Sequence, residues 1–232
     1  LKAWTRTKYV IATNSCTAAL TVCLSFLKSV GYEMALVPAL TYVATANAAR
    51  FAGLQVEVNE VQGDGIISSF CHDNRRVPIP VSFGGRTCWL AGKGTIEDAA
   101  HSLGARRANV LASCYSFYPT KSITTGMGGA IATADQQLTV FSRQAIHQGM
   151  TPGPSTARPL CVQPGMEWRM TEIAAAIGRV QVKRLPQFLK RRRDVTSRYF
   201  TELGRYVPFL PIDIEGACHL VVVLPENRKR LT

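Results

Sequence analysis

A single lysine occupies an unusual setting in residues 116–133, "SFYPTKSITTGMGGAIAT". Aromatic residues lead in, Pro119 breaks the run, and Lys121 follows. Gly126, Gly128 and Gly129 then precede a strand-like "AIAT". A lysine held at the edge of a strand can attack a carbonyl and keep it as a covalent adduct. A lysine on a solvated loop does nothing of the kind, and this stretch alone permits both readings. "IEDAAHSLGA" (96–105) adds a carboxylate, Asp98, and an imidazole, His101. Taken alone, Asp98 also suits a helix cap and His101 a structural role. "NSCTAAL" (14–20) opens a helix whose first N–H groups and dipole favour an anion.

These groups must be positioned by the elements around them. "YVIAT" reads as a strand, and the amphipathic helix "TAALTVCLSFLKSVG" closes at Gly31. "MALVPA" is a short strand, "TYVATANAARFAG" a helix ending at Gly53, and "LQVEVN" a strand. "RVPIPVSFGG" runs as a strand into a glycine turn, and "GTIEDAAHSLGA" begins as a strand. "VLASCYSF" and "GGAIAT" flank the Lys121 loop as two more strands, and "DQQLTVFSRQAIHQG" is a helix. A long helical pattern runs from Thr171 to Tyr206 with an interruption near Pro186, and "CHLVVVL" reads as a last strand. Alternating strands and helices predict an α/β domain whose mainly parallel sheet is buried on both faces. Ligands of such sheets bind beyond the carboxyl ends of the strands. Asn14 to Thr17, Tyr42, Asp98 and Lys121 all fall at or just after strand ends, so they can converge on one edge.

Composition narrows the class. The chain has 232 residues, 47% of them hydrophobic, which suits one large domain or one domain plus part of another. No apolar run reaches membrane-spanning length and no signal-peptide pattern is present, so no membrane partner is expected. The seven cysteines form no CxxC pair and sit mostly in apolar stretches, which predicts free thiols, a cytoplasmic compartment and no structural metal. The net charge of +12 is concentrated in "KRLPQFLKRRRDVTSRYF" and "ENRKR". These runs read first as a solvated helix face and second as an attraction for phosphorylated substrates. The aromatic interleaving of a single-strand nucleic-acid binder is absent. "GGRTCWLAGKGT" fails as a phosphate-binding loop, because Thr87 and Gly94 stand where the motif needs Gly and Ser or Thr.

"NSCTAAL", "VPALTYVATANA" (37–48), "IEDAAHSLGA", "SFYPTKSITTGMGGAIAT" and "EWRMTEIAAAIGRVQVKRL" (167–185) occur in this order. Together they resemble the DegT/DnrJ/EryC1/StrS family of pyridoxal-phosphate-dependent sugar aminotransferases, over about Tyr9 to Leu224. The resemblance implies a fold type I α/β transferase. Residues 1–180 would form the large cofactor-binding domain, and 181–232 a linker helix and the start of a truncated small C-terminal domain. It implies that Lys121 holds the cofactor and moves the proton, and that Asp98 pairs with the pyridine nitrogen. It places His101 near the ring and Tyr42 stacked on one face of it. The amides of Thr17 and Ala18 and the hydroxyl of Ser116 would hold the phosphate. The implied substrates are a nucleotide-linked keto sugar and an amino donor such as glutamate, and the implied assembly is a homodimer. The dehydratase branch of the family carries His in place of the lysine, and Lys121 argues against it.

The chain also departs from the family pattern. It is shorter between Gly84 and Gly94 and between Gly104 and Ser113, and it stops where a small domain would continue. Met127 replaces an acid before the Gly-Gly pair. Glu167 replaces an Asn that reaches the neighbouring subunit's phosphate, a repulsive exchange unless Arg169 intervenes. A catalytically impaired cofactor-binding or regulatory relative, or a fragment of such an enzyme, is the alternative reading, and a basic nucleic-acid-binding module is a more distant one.

Overall fold

The fold was analysed in a computed structural model, which describes residues 1–63, 75–88, 92–105, 109–151, 160–211 and 213–224. Cys71, residues 89–91 of the rejected phosphate loop and the basic run at 226–230 lie outside them.

Seven strands supply the framework: β1 (Tyr9–Thr13), β2 (Met34–Pro38), β3 (Gln55–Asn59), β4 (Arg76–Pro78), β5 (Gly92–Asp98), β6 (Val110–Ser116) and β7 (Gly129–Thr133). They pair as two ladders, β3-β2-β4 and β1-β7-β6-β5. The chain leaving β4 joins them. Asp98 N–H donates to the Pro80 carbonyl at 2.9 Å, and Ser82 N–H to the Asp98 carbonyl at 3.0 Å. The order is therefore β3-β2-β4-β5-β6-β7-β1. Only β7 runs against its neighbours, pairing antiparallel with both β6 and β1. The carboxyl ends of β1, β2, β5 and β6 consequently share one edge, as the alternating sequence pattern predicts.

The sheet is sandwiched. Helices α2 (Cys16–Ser29), α3 (Val43–Phe51) and α4 (Gln136–Ala145) bury one core with Ile11, Val37, Ile96, Cys114 and Ile131. The long helix α5 (Glu172–Leu203) and the short α1 (Lys2–Thr5) cover the other, with Tyr115, Phe117, Ile123, Leu185 and Leu189. Each fully buried leucine of α2, such as Leu20 or Leu24, contributes roughly 1.5–3 kcal/mol. Side chains alternate along a strand. Asp98 therefore shares the α2 face with Ile96, whereas Glu97 points to the α5 face and accepts from the hydroxyls of Ser82 and Ser113, each at 2.5 Å.

Two expectations change. The interruption near Pro186 does not occur, and α5 runs unbroken for 32 residues. Proline removes one backbone donor, but Leu185 and Leu189 on either side are buried in the α5 core and hold the helix in place. "CHLVVVL" is not a strand. Among the described residues it forms one isolated bridge, Phe209 to Val223, and its start docks on the turn after β4. There Ala217 N–H donates to Gly85 O at 2.8 Å, and His219 and Leu220 N–H donate to Gly84 O at 2.8 and 3.1 Å. Gly85 has φ +93°, and a Cβ there would lie 2.7 Å from His219 N, so only glycine fits this approach.

Candidate active site

Lys121 sits in the 12-residue connection between β6 and β7. The apolar anchors Phe117 and Ile123 are buried on either side of it. Lys121 N–H donates to Tyr118 O at 3.0 Å, Thr125 N–H to Phe117 O at 3.0 Å, and Thr124 N–H to Gln181 Oε1 on α5 at 3.3 Å. The amine is half-buried. Burial pushes its pKa down, while the charges of Asp98 and Cys16 pull it up. The net lowering enlarges the neutral fraction, the form that attacks a carbonyl.

Asp98, the last residue of β5, is buried. Its Oδ2 accepts from Thr45 Oγ1 of α3 at 2.8 Å, and its Oδ1 accepts from Ala100 N–H at 3.1 Å. Burial raises its pKa; the Thr45 and Ala100 bonds and the Lys121 charge oppose the rise. Thr45, in the first turn of α3, therefore orients the carboxylate. The sequence signal for it was a polar residue on the buried side of a helix, too common to single out.

His101 lies in the turn after β5 and its Nδ1 accepts from Gly84 N–H at 3.3 Å, which leaves the proton on Nε2. Burial, then the Lys121 charge, lowers its pKa to about 4. His219, from the docked C-terminal segment, packs its ring 4.2 Å from that of His101. Its pKa falls to about 3, through burial first and then the charges of His101, Lys121 and Arg192. Both rings are neutral near pH 7. Sequence reading missed His219, because nothing local links residue 219 to residue 101.

The α2 N-terminus closes the third side. Ser15 caps it by accepting from Ala18 N–H at 3.1 Å. The N–H groups of Cys16 and Thr17 point out of the helix start without intrahelical acceptors, and an anion seeking the Ala18 N–H must first displace the Ser15 hydroxyl. Cys16 is a further residue the sequence did not mark. Its thiol donates to Cys114 O at 3.3 Å, and burial, then Asp98, raises its pKa, with Lys121 opposing. Gly129 shows how closely β7 approaches this helix start, because a Cβ there would lie 2.4 Å from the Ser15 carbonyl carbon.

The remaining expected residues share the edge with fewer ties. Ser116 ends β6 and accepts from Tyr118 N–H at 3.4 Å. Tyr42 caps α3 and is 77% exposed, with no hydrogen bond or ring contact to Lys121, Asp98 or His101 among the described residues. Glu167 is exposed and bound by Arg169 through Nε at 2.7 Å and Nη2 at 2.9 Å, so a cation does intervene at this position. Arg169 bridges to Thr13 at the end of β1, which brings the pair to the same edge. The basic run on α5 is only partly a solvated face. Lys190 pairs with Asp194 in solvent, whereas Arg193 donates inward to the carbonyls of Glu215 and Gly216.

The lysine, carboxylate and helix start that meet here belong to a known type of chain. The family model for the DegT/DnrJ/EryC1/StrS aminotransferase family matches residues 1–78 and 91–230, leaving out the turn after β4. Spore coat polysaccharide biosynthesis protein SpsC of Bacillus subtilis is 29% identical, over 96% of this chain and 65% of its own length. UDP-4-amino-4,6-dideoxy-N-acetyl-beta-L-altrosamine transaminase of Campylobacter jejuni is 30% identical, over 90% of this chain and 61% of its own. This chain thus spans less than two thirds of either relative. The aminotransferase from Psychrobacter cryohalolentis superposes with a TM-score of 0.85 at 25% identity, over 99% of this chain and 71% of that one. The fold is that of the pyridoxal-phosphate-dependent sugar aminotransferases, and the chain belongs to the DegT/DnrJ/EryC1/StrS aminotransferase family.

Proposed function

We propose that this chain carries the cofactor site of an aminotransferase that moves an amino group, with glutamate as donor, onto a keto sugar linked to a nucleotide. The observation that carries the reading is the meeting of Lys121, Asp98 and the α2 N-terminus at one sheet edge, with Lys121 and Asp98 electrostatically coupled. Three different groups match the three ends of pyridoxal phosphate. Lys121 suits the aldehyde and Asp98 the pyridine nitrogen, while the Thr17 N–H, the Ala18 N–H once Ser15 releases it, and the Ser116 hydroxyl suit the phosphate. Bound there, the cofactor supplies an electron sink for the carbanion that transamination creates.

The chain's own residues supply the rest. Asp98, with its oxygens held by Thr45 and Ala100, would pair with a protonated ring nitrogen. Lys121, as a free amine whose pKa burial lowers, would serve as the base that carries a proton between two carbons. His101, neutral and fixed by Gly84, offers Nε2–H as a donor to a ring oxygen. Tyr42, at the rim of the site, has its ring free to stack on a planar ligand.

Finer features follow from the same reading. Ile173, Ile177 and Val180 form an exposed apolar stripe at helical spacing on α5, which supports a homodimer. Six free cysteines among the described residues support a reducing cytoplasm, and no described helix is long and apolar enough to cross a membrane. Residues 1–180 are read as the cofactor domain and 181–232 as the linker and the start of a second domain, with α5 spanning the boundary.

The test is an absorbance spectrum of the purified protein with pyridoxal phosphate, before and after glutamate. A visible band that appears with the cofactor and bleaches with glutamate is expected, and borohydride should fix the label on a peptide containing Lys121. No band in folded protein overturns the reading. A band that glutamate leaves unchanged indicates a binding protein that has lost the reaction.

A further inference from the structure

Arg192 lies one turn before Thr196, the last buried residue of α5, and its side chain turns inward. Nη2 donates to Lys121 O at 3.3 Å and to Thr120 O at 3.5 Å, and Nη1 donates to His219 O at 3.4 Å. Among the described residues no carboxylate pairs with it, so its charge is directed at three main-chain carbonyls. Those carbonyls come from two segments about a hundred residues apart, the lysine loop and the segment that places His219 against His101. Neighbouring arginines behave differently: Arg191 is exposed, and Arg193 holds Glu215 and Gly216.

We infer that Arg192 is a positioning residue for Lys121, a guanidinium clamp that orients the lysine's own peptide and ties it to the segment carrying His219. The assignment rests on the proposed function. Two of the three bonds hold the carbonyls of Thr120 and Lys121, which fixes the peptide planes on both sides of the Lys121 Cα. The amine stands at the end of a four-carbon stem, so a small rotation of those planes swings Nζ through a distance that matters for attack on a carbonyl. A planar fork with several donors can span carbonyls from separate segments, while an ammonium can reach one or two. The clamp also explains why the loop and the C-terminal segment keep their relation without a strand between them.

The test uses the full chain loaded with pyridoxal phosphate, as Arg192→Ala and Arg192→Lys, each with and without millimolar guanidinium ion. Three quantities are read: total bound cofactor, the visible band of the lysine-linked form with its pH midpoint, and the single-turnover rate with glutamate. Arg192→Ala should keep total cofactor within about threefold, shift the midpoint of the band, and slow the glutamate step by about 30-fold, the scale of a sub-ångström misplacement. Arg192→Lys, or guanidinium added to Arg192→Ala, should recover part of the rate. A band and rate unmoved in Arg192→Ala overturn the clamp. So does a loss that neither Arg192→Lys nor guanidinium recovers in any part, which marks a fold defect instead. If the unsubstituted protein shows no band, the proposed function fails and the clamp fails with it; a band present there but unmoved in the variants overturns the clamp alone.

Discussion

Two regions meet at the site, and they are built in different ways. The chemical edge has Asp98 on a strand end, Lys121 in the connection between two paired strands and the start of α2 just after β1, and it lies within the family match. The cover, where residues 217–220 dock on Gly84 and Gly85, stands on a few turn hydrogen bonds and on Arg192 and Arg193. The turn itself falls in residues 79–90, outside the match. Groups that must hold a fixed charge geometry are carried by the sheet, whose many bonds share any local strain. The turn that the docked segment covers falls outside the match, whereas residues 217–220 lie within it and are tied to the lysine loop through Arg192.

Substitutions at the chemical edge should have the largest effects. Lys121→Ala should abolish the visible band and remove at least about four decades of turnover, roughly 5 kcal/mol, while some non-covalent cofactor binding persists. Near-normal turnover in that variant, followed by a glutamate assay, removes Lys121 from the reaction. Asp98→Asn keeps the shape but loses the charge, and turnover should fall by about two to four decades, roughly 3–5 kcal/mol. A rate within a few-fold of the parent would reduce Asp98 to a residue that merely accepts from Thr45 and Ala100.

Matched glycine substitutions sharpen the contrast. Gly129→Ala forces a methyl against the Ser15–Cys16 backbone at the α2 start. It should cost about 1–3 kcal/mol in a denaturant titration and weaken cofactor binding with it. Gly85→Ala combines a positive φ with backbone contacts under 3 Å to Cys218 and His219. It should speed hydrogen exchange at the His219 and Leu220 amides while the band with Lys121 forms normally. If Gly85→Ala abolishes the band and Gly129→Ala does not, the division between edge and cover is wrong.

The paired histidines give the cover a pH signature. Their folded pKa values, about 4 and about 3, lie below the ordinary 6.5. The unfolded chain therefore binds more protons between those values, and stability rises with pH in that window. The contribution is full above pH 6.5 and is lost as pH falls toward 4 and then 3. Melting midpoints from pH 7 to pH 4 should drop less in His219→Gln than in the parent; equal slopes would remove the pair as the source. The smallest effect belongs to Glu167. Its pKa is lowered by the hydrogen bond from Arg169, and Arg169 already balances it, so Glu167→Asn should leave cofactor affinity within about twofold. A tenfold tightening in a cofactor titration, with dimer content followed by sedimentation, would instead place the carboxylate at a phosphate.

The sequence by itself determined the alternation of strands and helices and the single edge that Asp98 and Lys121 share. These follow from local signals: apolar periodicity, glycines after the lysine loop, and polar residues at strand ends. Tertiary structure alone decided the rest. Pro186 breaks no helix because Leu185 and Leu189 are buried beside it. "CHLVVVL" has a strand's composition, yet its start finds its partners in a glycine turn, where Ala217, His219 and Leu220 direct their N–H groups. Thr45, Cys16, His219 and Arg192 act on residues 53, 98, 118 and 71 positions away, at Asp98, Cys114, His101 and Lys121. No local pattern encodes such pairings, because the free energy that selects them comes from burying charged and polar groups beside one another only after the chain has folded.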